Sequence, residues 1–140
     1  MPFNVNPPKR KRILVVDDEP DVTLLVRLNL QRTGRYEVQQ ENRASRAVST
    51  ARTFQPDLIL LDIMMPEMDG GDVLAQLRED AGLRNVPVMF LTATVLPEEL
   101  KSKGGTIGGH PCIAKPFQTE VLLSRIDSIL SGGKPAAAPR

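Results

Sequence analysis

The chain has 140 residues, of which 41% are hydrophobic and 25% are charged, as is ordinary for one globular domain. Its longest apolar runs, such as 58–61, are far too short to cross a membrane. The N-terminus has no apolar stretch of signal-peptide length, and the single cysteine, Cys112, excludes an internal disulfide. These features exclude membrane-spanning, secreted and disulfide-stabilised classes and indicate a cytoplasmic protein.

Positive charge is concentrated at the two ends of the chain. The first twelve residues carry four basic residues, 9–12, and no acid, whereas Ile13 to Ser131 holds 12 basic and 17 acidic residues. Both ends are rich in Pro, Gly, Ala or Asn and lack periodicity, which is typical of flexible tails. We predict a flexible basic arm over 1–11, one folded domain over 12–131 and a flexible tail over 132–140. Because the basic run has no interleaved aromatic residues, we expect no nucleic-acid binding.

The folded part alternates apolar runs with segments of helical periodicity. A first strand is followed by a helix that Asp18 or Glu19 can cap, with Pro20 in its first turn, and that ends at Gly34. Further helices are predicted where apolar side chains recur three, four and seven residues apart, around 44–51, 73–81 and 122–130. The predicted strands are 13–16, 36–40, 58–61, 86–91 and 112–114.

This alternation predicts an α/β fold. Strands that are apolar on both faces suit a parallel sheet, and right-handed crossovers place helices on both of its faces. We expect a doubly wound, flavodoxin-like, five-stranded parallel sheet of order 2-1-3-4-5. A helix over 97–103 is followed at once by four glycines between 104 and 109, so we expect this helix to be short or mobile.

Polar residues follow the ends of four predicted strands. Asp17 and Asp18 follow the first strand, and Asp62 follows the third. Thr92 follows the fourth strand, and Lys115 follows the fifth. Because the carboxyl ends of parallel strands share one edge of a sheet, these side chains are predicted to lie together in the crevice where such folds bind ligands.

The chemistry of this set indicates phosphoryl transfer. Three neighbouring carboxylates repel one another unless a cation lies among them, and hard oxygen ligands suit Mg²⁺. The absence of a His or Cys cluster argues against a zinc site. A carboxylate nucleophile, a divalent cation, the ammonium of Lys115 and the hydroxyl of Thr92 are what transfer to an aspartate requires. Asp57 is the rival acceptor to Asp62, but it would lie at the opposite end of the third strand.

Four sequence strings carry a resemblance to a known family. Ile13–Pro20 (ILVVDDEP), Pro56–Gly70 (PDLILLDIMMPEMDG), Leu91–Ala93 (LTA) and Ile113–Phe117 (IAKPF) together resemble the receiver domains of two-component response regulators. The resemblance covers about 12–131. It implies a signalling phosphoacceptor that assists its own phosphorylation and dephosphorylation, not a conventional enzyme.

The resemblance also implies a metal site and a phosphoacceptor. Asp62 would accept a phosphoryl group from a sensor histidine kinase or a phosphotransfer protein. Asp18 would bind Mg²⁺ directly and Asp17 largely through a water. The Asp62 carboxylate and the backbone carbonyl of Met64 would complete the protein ligands.

Two further residues have implied roles in the switch. Lys115 would contact the phosphoryl group or the acceptor carboxylate, and its peptide bond to Pro116 would be cis. Thr92 would turn its hydroxyl toward the phosphate, changing the affinity for a downstream protein partner. We expect a monomer or weak dimer, either a stand-alone regulator or a piece of a larger one.

Several residues depart from the family pattern or admit a plainer interpretation. Cys112 stands where the family commonly has Tyr or Phe, and we interpret it as a buried apolar filler. Met64 and Thr94 occupy positions that influence the hydrolytic water, and Met64 offers that water no useful hydrogen bond, so we hypothesise a long-lived acyl phosphate. Asp69 is interpreted as a turn residue, and His110 as exposed in a glycine-flanked loop.

Three other functions compete with this interpretation. A haloacid-dehalogenase-type phosphatase also uses an aspartate and Mg²⁺, but it needs a second acid where Met64 stands. A receiver-shaped module that is never phosphorylated conflicts with the full set of site residues. Direct DNA binding needs an output domain, for which the few residues after Ser131 leave no room.

Overall fold

The computed structural model describes residues 9–93 and 106–131, which form alternating strands and helices. In chain order the described elements are β1 (Lys11–Val16), α1 (Pro20–Arg32), β2 (Tyr36–Glu41), a 3₁₀ turn (Ala44–Arg46) leading into α2 (Ala47–Phe54), β3 (Leu58–Asp62), α3 (Gly70–Glu79), β4 (Val88–Thr92), β5 (Thr106–Ile107), β6 (His110–Ala114) and α4 (Thr119–Leu130).

The central sheet is parallel apart from one edge strand. Within the described residues its order is β2-β1-β3-β4-β6-β5, and the first five strands of that order pair in parallel with one another. The predicted order 2-1-3-4-5 is therefore confirmed, with β6 as its fifth strand. Val16 lies opposite Leu61 and Asp62 opposite Leu91, so β1, β3 and β4 end at the same edge.

Helices cover both faces of the sheet, as the sequence predicts for a doubly wound fold. On one face, α2 and α3 bury Ala47, Ala51 and Leu77 against alternate strand residues. On the other face, α1 and α4 bury Leu30 and Ile126 against the intervening ones. β1 from Ile13 onward, β3 and β4 are buried on both sides, which explains why they are continuous apolar runs, whereas the edge strand β2 alternates buried and exposed residues.

The prediction of five strands is wrong by one short strand. Thr106–Ile107 forms β5, which pairs antiparallel with the start of β6. Gly108 and Gly109 connect them with φ values of 59° and 84°, the conformation that a tight hairpin turn demands and that glycine adopts without strain. His110 consequently begins a strand and is partly buried, and its predicted position in an exposed loop is wrong. The helix predicted over 97–103 lies outside the described residues.

The folded part begins slightly earlier than predicted. β1 starts at Lys11, a residue that the sequence assigned to the flexible arm, because its amide donates to the carbonyl of Arg35 and it pairs with Tyr36. The remainder of the predicted arm before Lys9 and the tail from 132 lie outside the described residues. None of the helices in the described part of the chain is long and apolar enough to cross a bilayer.

Candidate functional site

Three acids meet at the carboxyl edge of the sheet. Among the described residues, Asp17, Asp18 and Asp62 each offer a carboxylate oxygen within 4.8 Å of the others. Asp17 and Asp62 are buried, and Asp18 is half-buried. The proximity follows from the parallel pairing of β1 with β3. Glu19, not Asp18, is the N-cap of α1, so the plainer interpretation of Asp18 as a helix cap is wrong.

Both side-chain oxygens of Asp17 are already engaged by the protein. Oδ1 accepts a hydrogen bond from the backbone N–H of Glu19 at 2.9 Å. Oδ2 accepts one from Nζ of Lys115, also at 2.9 Å. The Asp17 side chain is 0% exposed, so it is fixed at the floor of the site. This arrangement suits a residue that acts on a cation through a water.

Lys115 reaches into the cluster from the end of β6. Its backbone N–H donates to the carbonyl of Thr92 at 2.7 Å, and its peptide bond to Pro116 is cis, as the resemblance implies. Nζ lies 3.6 Å from Oδ2 of Asp62. Burial by itself lowers the pKa of Lys115, but the hydrogen bond to Asp17 and the charges of both carboxylates outweigh burial. The pKa of Lys115 therefore lies above its ordinary value, and the ammonium is retained.

Asp62 is the most perturbed acid of the site. Its pKa is raised to about 6, first because burial removes water from the carboxylate and next because of the negative charge of Asp17. Lys115 and the backbone N–H of Met64, which lies 3.4 Å from Oδ1, oppose this rise without cancelling it. The donor set is all oxygen and carries more negative charge than one lysine balances, so it fits a hard divalent cation such as Mg²⁺.

Thr92 and Met64 are the remaining predicted site residues in the part of the chain that the structure describes. Thr92 ends β4, is buried, and follows the residue paired with Asp62. Met64 has an exposed fraction of 61%, and its N–H faces Asp62. The role of the Met64 carbonyl as a metal ligand stays a prediction. Thr94 lies outside the described residues.

The loop after Asp62 is fixed by the start of α3. Asp69 is the N-cap of this helix: its side chain accepts from the N–H of Asp72 at 2.9 Å, and its own N–H donates to the Asp72 side chain. The N–H of Gly70 donates to the carbonyl of Ile63 at 2.7 Å. A Cβ at Gly70 would lie 2.7 Å from the Asp62 carbonyl oxygen, so glycine is required where α3 meets the strand.

Three other residues differ in their relation to the site. Asp57 lies at the opposite end of β3 and accepts from the backbone N–H of Arg12 at 2.8 Å, so it has a structural role away from the cluster. Cys112 is buried, and burial raises the pKa of its thiol to about 11. The apolar-filler interpretation of Cys112 is therefore confirmed. The His110 ring packs edge-on against Phe90 with the centroids 5.8 Å apart.

Sequence reasoning missed one residue of the site. The Glu19 carboxylate lies 3.3 Å from Nζ of Lys115, although the sequence indicated only a helix-capping role. The run of three acids from Asp17 to Glu19 was the available signal. This run of acids indicates a contact with Lys115 only once the start of α1 is known to lie beside the end of β6.

Comparison with known proteins places this geometry in a family. Residues 13–127 match the response regulator receiver domain. The chain is 35% identical over 121 residues to Protein PilH of Pseudomonas aeruginosa, covering 86% of this chain and 98% of PilH. It is 39% identical over 119 residues to the DNA-binding dual master transcriptional regulator RpaA of Synechocystis, covering 85% of this chain but 48% of RpaA.

Solved structures agree with the sequence relatives. The chemotaxis protein CheY4 of Vibrio cholerae superposes with a TM-score of 0.74 at 30% identity, covering 87% of this chain and 100% of CheY4. The chain spans about half the length of RpaA and of the regulator PhoP of Bacillus subtilis, so it corresponds to one part of those longer proteins. Fold, site geometry and sequence agree: the chain belongs to the family of response regulator receiver domains.

Proposed function

We propose that this receiver domain takes a phosphoryl group from a sensor histidine kinase or phosphotransfer protein onto Asp62, assisted by Mg²⁺. The observation that carries this proposal is the position of Asp62, buried between two acids and one lysine at the carboxyl edge of the sheet. Asp57, the rival acceptor, lies at the other end of β3 with its carboxylate bound to a backbone amide.

The reaction is a displacement at phosphorus. A carboxylate oxygen of Asp62 forms the new O–P bond while the P–N bond to the donor histidine breaks, and the departing imidazole nitrogen keeps the electron pair and takes a proton. Charge accumulates on the equatorial phosphoryl oxygens, so catalysis depends on positioning and neutralisation. Lys115 carries a retained positive charge within 3.6 Å of the nucleophile and serves this purpose.

Mg²⁺ is proposed to lie among the three acids. Asp18 and Asp62 would bind it directly with the Met64 carbonyl, and Asp17, whose oxygens are engaged by Glu19 and Lys115, would act through a water. When bound, the ion supplies positive charge to the transferring phosphoryl oxygens. It would also offset the negative charge of Asp17, which after burial is the next cause of the raised pKa of Asp62.

The signal is proposed to leave the site through Thr92. Its hydroxyl would turn to donate to a phosphoryl oxygen, which biases a two-state surface and changes the affinity for a downstream protein. Cys112 stands where the family resemblance implies an aromatic ring, so Thr92 and the elements after β4 would transmit most of the change. Output by protein binding, without nucleic-acid contact by this domain, fits a cytoplasmic monomer or weak dimer.

The acceptor is tested with a small phosphodonor. The protein is incubated with Mg²⁺ and acetyl phosphate, and its intact mass is measured. We expect one phosphoryl adduct in the wild type and in Asp57→Asn, and none in Asp62→Asn. Asp57→Asn is the matched control because it changes the same charge next to the same strand and keeps an oxygen for the Arg12 amide. An adduct that persists in Asp62→Asn would contradict the proposal.

A further inference from the structure

Three carboxylates share the ammonium of Lys115. Nζ lies 2.9 Å from Asp17, 3.3 Å from Glu19 and 3.6 Å from Asp62. A lysine has three N–H donors, and the two shorter contacts are hydrogen bonds to Asp17 and Glu19. Asp62, the proposed acceptor, is therefore the carboxylate farthest from the positive charge that phosphoryl transfer needs.

The two closer partners hold Lys115 with different strength. The Asp17 side chain is 0% exposed and is itself fixed by the backbone N–H of Glu19. The Glu19 side chain has an exposed fraction of 61%, so water screens its attraction for the ammonium. Breaking the ion pair of Lys115 with Glu19 consequently costs less free energy than breaking its ion pair with Asp17.

A phosphoryl group on Asp62 changes this competition. It brings three strong acceptor oxygens and close to two negative charges to the side of Lys115 that faces Asp62. The exposed carboxylate of Glu19 is a weaker competitor for the same ammonium than such a group. The Glu19 backbone remains bonded to Asp17, so only its side chain has to leave.

We propose that Glu19 is a positioning residue that acts through Lys115: it competes with Asp62 for the ammonium in the resting protein and releases it when a phosphoryl group occupies Asp62. This inference rests on the proposed function. Because Glu19 is the N-cap of α1, its release leaves a carboxylate without its ion pair to Lys115 at the start of that helix, beside the site. The ion pairing at the beginning of α1 therefore depends on whether Asp62 carries a phosphoryl group.

Beryllofluoride binding in the presence of Mg²⁺ tests the exchange, since beryllofluoride occupies an aspartate as a phosphoryl group does. Glu19→Gln removes the competitor, and we expect affinity to rise about two- to fivefold, the range of an exposed ion pair. Glu19→Asp keeps the charge but shortens the side chain, and we expect a rise of similar size. Asp21→Asn removes an exposed charge in the same turn and should leave the affinity unchanged.

Repeating the Glu19 substitution in a variant that lacks Lys115 distinguishes the exchange of Lys115 partners from a general structural effect. In Lys115→Ala, Glu19→Gln should no longer change beryllofluoride affinity, because the residue through which it acts is gone. An equal effect of Asp21→Asn and Glu19→Gln, wild-type affinity in Glu19→Asp, or an effect that persists without Lys115 would each overturn the inference. Failure of the wild type to bind beryllofluoride would overturn the proposed function as well, whereas equal binding by the wild type, Glu19→Gln and Glu19→Asp would overturn this inference alone.

Discussion

Replacing Asp62 by asparagine should stabilise the fold in the absence of Mg²⁺, because the site is arranged for a cation at the expense of stability. The pKa of Asp62 is raised to about 6 from 3.8, mainly by burial and next by Asp17. The folded protein therefore binds more protons than the unfolded chain between about pH 4 and pH 6, and the free energy of unfolding falls as pH rises through this window. A shift of about two pH units corresponds to roughly 3 kcal/mol at neutral pH.

The variant avoids this cost because its amide side chain does not titrate. The cost is already net of the attraction between the Asp62 carboxylate and Lys115, since that attraction is one of the causes that set the pKa. We therefore expect a net gain of about 1–3 kcal/mol at pH 7, or on the order of 5 °C in melting temperature for a domain of this size. The gain should disappear near pH 4, where Asp62 is largely protonated in the folded wild type and the unfolded chain begins to take up its proton.

The assay is urea unfolding in EDTA from pH 4 to pH 8. Tyr36 is the single tyrosine of a chain without tryptophan and is buried, so its fluorescence and the far-ultraviolet circular dichroism both follow unfolding. Addition of Mg²⁺ should stabilise the wild type more than Asp62→Asn. A variant no more stable than wild type at pH 7 in EDTA would refute the reasoning, and Asp57→Asn should show no comparable gain.

Three other variants or treatments probe the loop and the core around the site. Met64→Asn should accelerate loss of the phosphoryl group several-fold, because its amide can bond the attacking water; equal or slower loss, followed by intact mass, would exclude the long-lived acyl phosphate. Gly70→Ala should cost about 1–3 kcal/mol in urea unfolding, since its Cβ would overlap backbone at 2.7 Å. Gly71→Ala, whose Cβ would meet only a side-chain oxygen at 3.3 Å, should cost far less, and similar losses would argue against the close approach. Cys112, buried and with its pKa raised to about 11, should resist a thiol-specific reagent at pH 7 until urea unfolds the protein; rapid native labelling would contradict its burial.

Most of the fold followed from local pattern because strands buried on both faces must be apolar throughout. Ile13–Val16 and Leu58–Leu61 lie at the centre of the sheet, and their register brings Asp17 and Asp62 to one edge. The site prediction needed only this topology and the polar residues after each strand. Asp69 and Gly70 indicated a turn from the sequence alone. Their contacts with Asp72 and with the Asp62 backbone are visible only in the structure.

Other features depended on tertiary contacts that no local pattern contains. The hairpin before β6 requires two consecutive residues with positive φ, and the Gly108–Gly109 pair was interpreted as a helix-weakening segment instead. The glycines before His110 suggested a loop. Its packing against Phe90 joins residues distant in sequence, so the local pattern could not show it. The Glu19–Lys115 pair spans almost the whole domain, so its sequence signal was indistinguishable from a helix start.

The most direct test of the central claim is to identify the phosphorylated side chain. The protein is phosphorylated with acetyl phosphate and Mg²⁺ and then reduced with borohydride, which converts an aspartyl phosphate into homoserine. Peptide mass mapping then locates the converted residue. Conversion at position 62 alone is the predicted result. Conversion at position 57, or at neither aspartate in a protein that carries a phosphoryl adduct, would contradict the assignment of Asp62 as the phosphoacceptor.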